Sequence, residues 1–164
     1  MIFMSQSGLT DPLRLADWDR WYVEHLRVMR TVPGITSAQR FTSETAGYPP
    51  SLAIYSVASE AVFHDPYYLS VRGMGDWKPL IDPRFYHRNL FDGLDAAPFV
   101  PGDGLLVIAD RMHPDPSLTP MTWLKAVGLD LSTPFRGIAV VGKHEFADVA
   151  ADVSEVGHYA PVPM

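Results

Sequence analysis

The sequence predicts an α+β fold, and three observations carry that expectation. Short alternating apolar runs, the mark of half-buried strands, are interleaved with a long amphipathic helical stretch. Clusters of Pro and Gly punctuate the chain between these runs. Over residues 1–91 the elements read β-α-β-β-α-β, the split βαβ or ferredoxin-like order.

Each element has its own warrant. "MIFMSQSG" is short and apolar-rich and reads as a first strand. "TDPLRLADWDRWYVEHLRVMRTVPG" reads as a helix, with Asp17 as N-cap and Pro33-Gly34 as its stop. Leu15, Trp18, Tyr22, His25, Leu26 and Met29 recur at helical spacing and share a face. Glu24, Arg27 and Arg30 lie opposite, which suits a helix packed on a sheet. "ITSAQRFTS" alternates, with Ile35, Ser37, Gln39 and Phe41 against Thr36, Ala38 and Arg40. "SLAIYSVAS" alternates as well, Ala53, Tyr55 and Val57 against Leu52, Ile54 and Ser56, and the turn-rich "ETAGYPP" between them predicts an antiparallel hairpin. The second helical stretch, "SEAVFHDPYYLSVRGMGDWKPL", is broken by Pro66 and by "GMGDW". "RFYHRNLF" reads as a fourth strand.

After the Gly/Pro/Asp-rich "DGLDAAPFVPGDG", a β-α-β extension is expected over 105–143, possible in outline as a degenerate second copy of the first unit. Its parts are "LLVIADRM", a strand; "TPMTWLKAVG", a short helix with Thr119 as N-cap, Pro120 at N1 and Gly128 at its end; and "RGIAVVGK", a strand. Residues 144–164 have weak periodicity and read as an extended tail lying on a neighbour. The expectation is one domain, 1–164, with a ferredoxin-like unit at 1–95.

At 164 residues, a domain buries roughly two-thirds of the surface its unfolded chain exposes. The formal charge of −6 argues against a nucleic-acid partner, which needs a concentrated basic surface. No apolar run approaches the ~18 residues of a membrane span. With no signal-peptide pattern at "MIFMSQSG", the expected location is cytoplasmic. The absence of cysteine removes disulfides, thiolate nucleophiles and cysteine-based metal centres. None of the short histidine spacings that hold a metal occurs, nor does a phosphate-cradling glycine motif or a nucleophile elbow. The expectation is therefore no metal, no nucleotide and no cofactor.

"WYVEHLRVMRTVPGITSAQRF" resembles the EthD-like and related members of the dimeric α+β barrel superfamily, where an aromatic helix with a similar histidine runs into "PG" and then a strand. "SLAIYSVAS" and "HDPYYLSV" are similar to the strand and second helix that follow. The resemblance covers about residues 1–95. It implies a ferredoxin-like unit whose sheet pairs with that of a second subunit in a homodimer, and a pocket between each sheet and its own helices. Superfamily members include isomerases, cyclases, dehydratases, cofactor-free monooxygenases and haem-binding enzymes, so fold does not fix reaction.

His25 is the sharpest candidate for chemistry. An imidazole shuttles protons at neutral pH, and here it sits among Trp18, Trp21 and Tyr22 on one helix. In the resembling proteins this position is often polar and faces the pocket. The competing reading is a half-buried core histidine. "DPRFYHRNLF" offers a second constellation: on a strand, His87 and Asn89 share one face and Tyr86 and Arg88 the other. One pair suits polarising a carbonyl and the other suits binding a carboxylate or enolate, against the plainer reading of a solvated edge. The catalytic candidates are His25, His87, Tyr22 and Arg88. The substrate-binding candidates are Trp18, Trp21, Tyr55, Tyr67, Tyr68, Trp77, Tyr86 and Asn89. His64 lies beside the two tyrosines of the second helix, and His113, His144 and His158 read as surface residues.

These features point to an enzyme acting by proton transfer on a small aromatic or alicyclic metabolite: an isomerase, a dehydratase or other lyase, or a cyclase. The alternatives are a cofactor-free monooxygenase, a haem-binding protein, and a non-catalytic small-ligand-binding or assembly protein.

Overall fold

In the computed structural model, residues 1–144, 146 and 155–163 are described. Eight strands close into a barrel. They are β1 (Ile2–Ser7), β2 (Ile35–Thr42), β3 (Ser51–Val57), β4 (His87–Asp92), β5 (Gly104–Arg111), β6 (Thr122–Leu129), β7 (Phe135–Gly142) and β8 (Gly157–Pro161). Around the barrel their order is β1-β3-β2-β8-β5-β7-β6-β4, with every pairing antiparallel. The ring therefore consists of two arcs, β4-β1-β3-β2 and β8-β5-β7-β6. They join where β2 meets β8 and β4 meets β6.

Alternation along the strands sorts the core into layers. Ile2, Met4, Leu52, Ile54, Phe91, Leu106, Ile108, Leu124, Ile138 and Tyr159 fill the barrel interior. The outward residues of the first arc, among them Phe3, Ala53, Tyr55, Val57 and Leu90, pack instead under two helices. These are α1 (Leu15–Met29) and α2 (Pro66–Val71). The outer face of the second arc carries its own cluster, with Leu105, Val107, Ala109 and Ala139 against Met121 and Trp123.

Helix α1 buries Trp18, Tyr22, Leu26 and Met29, while Glu24 and Arg27 face out and pair with each other. Two details differ from expectation. A single-turn 3₁₀ helix, Pro12–Arg14, precedes α1 with Asp11 as its cap. Asp17 thus lies within the first turn of α1 and pairs with Arg14 and Arg20 instead of capping. Leu15, the first residue of α1, also leaves the apolar stripe and is 44% exposed. Helix α1 ends at Met29, and the turn into β2 passes through Gly34, whose φ of +87° and close approach to Val62 admit no side chain without strain.

The β2–β3 hairpin forms as expected, except for a bulge between Ile35 and Ser37. That extra residue turns Ile35 to the same side as Ala38, under the helices, rather than leaving it with Phe41. The broken second helix resolves into a 3₁₀ turn Glu60–His64, then α2 capped by Asp65, then a 3₁₀ segment Gly75–Leu80.

The larger corrections fall after residue 104. The segment expected as a short helix, "TPMTWLKAVG", is mostly β6. Its Thr-Pro…Gly punctuation is a valid helix signal, but an isolated helix of that length is marginal. As a strand it fills the gap between β4 and β7, with Leu124 inside the barrel and Trp123 outside. The extension is therefore not β-α-β. Residues 157–161 of the expected tail form β8 inside this chain's own barrel, with Tyr159 wholly buried. Residues 147–154 of that tail lie outside the described residues. Among the described residues, no helix is long and apolar enough to cross a membrane.

Candidate active site

Between the first arc and its helices lies a cavity of about 550 Å³. Its floor comes from the sheet: Phe3 and Ser5 of β1, Tyr55 of β3 and Arg88 of β4. One wall is the α1 face bearing Tyr22, His25 and Met29. The other wall and the rim come from Tyr68 and Arg72 and from the segment that follows them, including Lys78 and Tyr86. Every lining residue falls between positions 3 and 88, so the site belongs to one arc alone.

The α1 wall is an aromatic stack. Trp18 and Trp21 lie face to face at 5.0 Å, and Trp21 in turn stacks on the His25 imidazole at 4.8 Å and 9°. The Tyr22 ring meets His25 edge-on at 5.9 Å. Packing thus holds the imidazole by its face at the cavity wall. Desolvation lowers the His25 pKa from 6.5 to about 4, so the ring is neutral at physiological pH.

Two buried phenols sit beside it. Burial raises Tyr22, opposed by the nearby Arg40 cation and by hydrogen bonds from Ser5 and Tyr55. Burial raises Tyr55 well above the usual phenol value, and its coupling to Tyr22 raises it further. Both remain protonated donors at neutral pH. Behind Tyr22 stands Arg40, 1% exposed, its guanidinium 4.2 Å from the centre of the Tyr22 ring. Asp19 pairs with one of its nitrogens, and Nε and Nη1 have no partner.

The structure distributes the candidates unevenly. His25, Tyr22, Arg88, Tyr55, Tyr68 and Tyr86 all line the cavity. The two faces of β4 are now distinguished: Arg88 and Leu90 point to the helices, whereas Asn89 and Phe91 point into the barrel. Asn89 is wholly buried and exchanges two hydrogen bonds with Ser132, so its role is to tie β4 to the loop after β6. His87 shares that inward parity and is not among the lining residues. Trp18 is core, 1% exposed, and Trp77 caps it edge-on at 5.2 Å while stacking under Arg14. Trp21 braces His25 from outside the cavity. Tyr67 is 44% exposed and bonds Thr31 on the surface.

Sequence reasoning missed Ser5, Arg72, Lys78 and Arg40. Ser5 is signalled only by its parity with Phe3 on β1. Arg72 and Lys78 lie in the interrupted helical stretch, where periodicity gives no direction. Among the described residues, no three His, Asp or Glu side chains cluster as a metal site.

No protein-family description matches the chain, and no curated protein does. Among solved structures, one described as a candidate chlorite dismutase superposes with a TM-score of 0.59 at 9% identity, covering 99% of this chain and 94% of that chain. Likeness at this identity shows the fold alone.

Proposed function

We propose that this protein is an enzyme that moves protons on a small aromatic or alicyclic metabolite, with His25 as the base and Tyr22 as the donor to the developing oxyanion. The observation that carries this reading is the juxtaposition, on one cavity wall, of a neutral imidazole and a protonated phenol 5.9 Å apart. A substrate carbonyl placed against Tyr22 presents its adjacent C–H to His25. The C–H electron pair moves into the carbonyl as His25 takes the proton, giving an enolate and an imidazolium. The lowered pKa of His25 does not prevent this step. The enolate forms beside the new cation in a water-poor cavity, where opposite charges stabilise each other strongly. Tyr55 supports Tyr22 by donating to its oxygen as charge develops there. Return of the proton to another carbon is isomerisation, and loss of a leaving group is elimination.

We further infer that the chain supplies its own second sheet. The order β8-β5-β7-β6 repeats β4-β1-β3-β2 when β5 to β8 are matched with β1 to β4. This supports a ferredoxin-like first unit followed by a degenerate copy that has taken the place of a partner subunit's sheet. Among the described residues the ladders of both arcs close within the chain, which leaves no strand edge there through which a homodimer barrel could form. Membership of the EthD-like branch rests on the α1 motif.

Haem-binding members of the superfamily raise the question of whether this cavity suits a porphyrin. His25 has the neutral form an axial ligand needs, but it has no hydrogen-bond acceptor for its second nitrogen among the described residues. Such a partner is the usual orienting device. The lining itself mixes apolar side chains (Phe3, Met29, Leu69, Met74 and Ile81) with three cations, so what speaks against the group is the unoriented imidazole. The residues do not fit the group, and no step is routed through it.

The test is solvent deuterium exchange at the carbon next to the carbonyl of 2-tetralone, a neutral carbon acid, followed by NMR. The protein accelerates exchange, and His25→Ala loses about 10²–10⁴-fold of that acceleration while keeping its circular dichroism spectrum. Equal exchange by wild type and variant would overturn the reading.

A further inference from the structure

The chain is acidic, with a net charge of −6, yet its cavity is not. Arg72, Lys78 and Arg88 line it, and among the described residues no Asp or Glu does. Neither Arg72 nor Lys78 makes an ion pair among the described residues, so their charge is directed at the opening rather than cancelled by a neighbour.

Arg88 is the most informative of the three. Its backbone N–H donates to Asp130 at 2.7 Å, and the other oxygen of that carboxylate comes only to 3.7 Å from Nη2. Asp130 thereby fixes the start of β4 without engaging the guanidinium fork. The Nε of Arg88 is buried and has no partner among the described residues. A buried donor left unpaired costs free energy, and in a site it marks a place where a ligand acceptor belongs. Tyr68 and Arg72 line the same cavity as Arg88, and the fields of both arginines reach the Tyr68 phenol. A planar guanidinium pairs bidentately with a planar carboxylate.

From this arrangement we propose that the natural substrate is an aromatic or alicyclic carboxylate, its carboxyl group held by Arg88 and Arg72 beside Tyr68 and its ring lying on the aromatic wall near His25. The proposal rests on the proton-transfer reading for the orientation of the ring, and deepens it by naming the substrate's charge. Three cations exceed what one carboxylate requires. The surplus faces the second negative charge, the enolate that forms only during reaction, and so favours the transition state over the bound ground state.

Binding alone tests this, independently of turnover. The full chain is titrated with 1-naphthoate, with its uncharged isostere 1-naphthamide and with 1-naphthyl phosphate, and calorimetry supplies the affinities. The expected result is naphthoate at least about tenfold tighter than the amide, with the gap narrowing as salt is raised. Arg88→Gln removes most of that preference. Arg72→Gln, an exposed position that does not threaten folding, reduces it several-fold and leaves amide binding unchanged. No binding of naphthoate at millimolar concentration, equal affinities for acid and amide, or a preference that survives both substitutions would each overturn the proposal. Tighter binding of the phosphate than of the carboxylate would overturn the carboxylate assignment. His25→Ala should keep the naphthoate preference. If that variant also keeps full tetralone exchange, the acid–base reading fails while the anion site stands, so the two failures are distinguishable.

Discussion

Two arginines in this chain are equally hidden, each 1% exposed, and they live very differently. Arg136 lies inside the barrel. Its Nε and Nη2 donate to the Asp110 carboxylate at 2.7 Å, Nη2 also donates to Gln6 at 2.8 Å, and Nη1 meets the sulfur of Met4. Arg40 lies in the helix–sheet layer outside the barrel with one ionic partner, two unpaired nitrogens and an aromatic ring beneath it. The first is a closed network that joins β1, β5 and β7 across the two arcs. The second is an open one pressed against the phenol at the candidate site. A saturated buried charge holds structure together, whereas an unsaturated one marks where the protein leaves capacity for something else.

Breaking the saturated network should cost the most. Arg136→Met removes the cation from Asp110, whose side chain is 38% exposed and can recover some hydration. A loss of about 3 kcal/mol is expected, read as a lower urea midpoint with an unchanged slope. A change under about 1 kcal/mol would mean that the network adds little.

Next comes the cavity wall. Burial lowers His25 from 6.5 to about 4, so the folded chain keeps it neutral over a range where the unfolded chain protonates it. The associated stability is fully present above pH 6.5 and is lost as pH falls toward 4. Across that window the wild type should lose about 1–3 kcal/mol more than His25→Phe does, measured by urea unfolding at several pH values. Parallel curves would show that the imidazole is not desolvated.

The smallest effect is expected at Arg40. Arg40→Met exchanges a half-satisfied charge for an apolar side chain of similar reach, and the melting free energy should move by less than about 1 kcal/mol in either direction. A loss as large as that at Arg136 would make the two arginines alike and remove the contrast.

The legibility of the molecule divides along the same line as the arcs. Helix α1, the β2–β3 hairpin and the broken second helix are written locally, in 3.6- and 2-residue periods and in Pro and Gly punctuation. The second arc is not. Strand β6 carries a helix-like frame in Thr119, Pro120 and Gly128, and only the unfilled ladders of β4 and β7 decide against it. Strand β8 is five residues long with two inward positions, too brief for periodicity to register. At the site, Tyr22, His25 and Arg88 were visible because unusual residue types stand at patterned positions. Arg40 was not, because a charge on an alternating strand reads as a solvated face. Ser5 was not, because nothing distinguishes it until β1 has neighbours.

The position of β8 also bears on how the chain reaches this state. The last strand is inserted between β2 and β5, so Phe41 must wait for Pro161 before its ladder is complete. Contacts so far apart in sequence form slowly, because much chain entropy is lost before they are made. During synthesis the first arc emerges with two bare edges, β2 and β4, that can recruit foreign strands. The cavity needs none of the later strands, since its lining ends at Arg88. The pocket can therefore take shape on an arc that is still open, and barrel closure, once β8 arrives, removes the two edges which that arc has exposed until then.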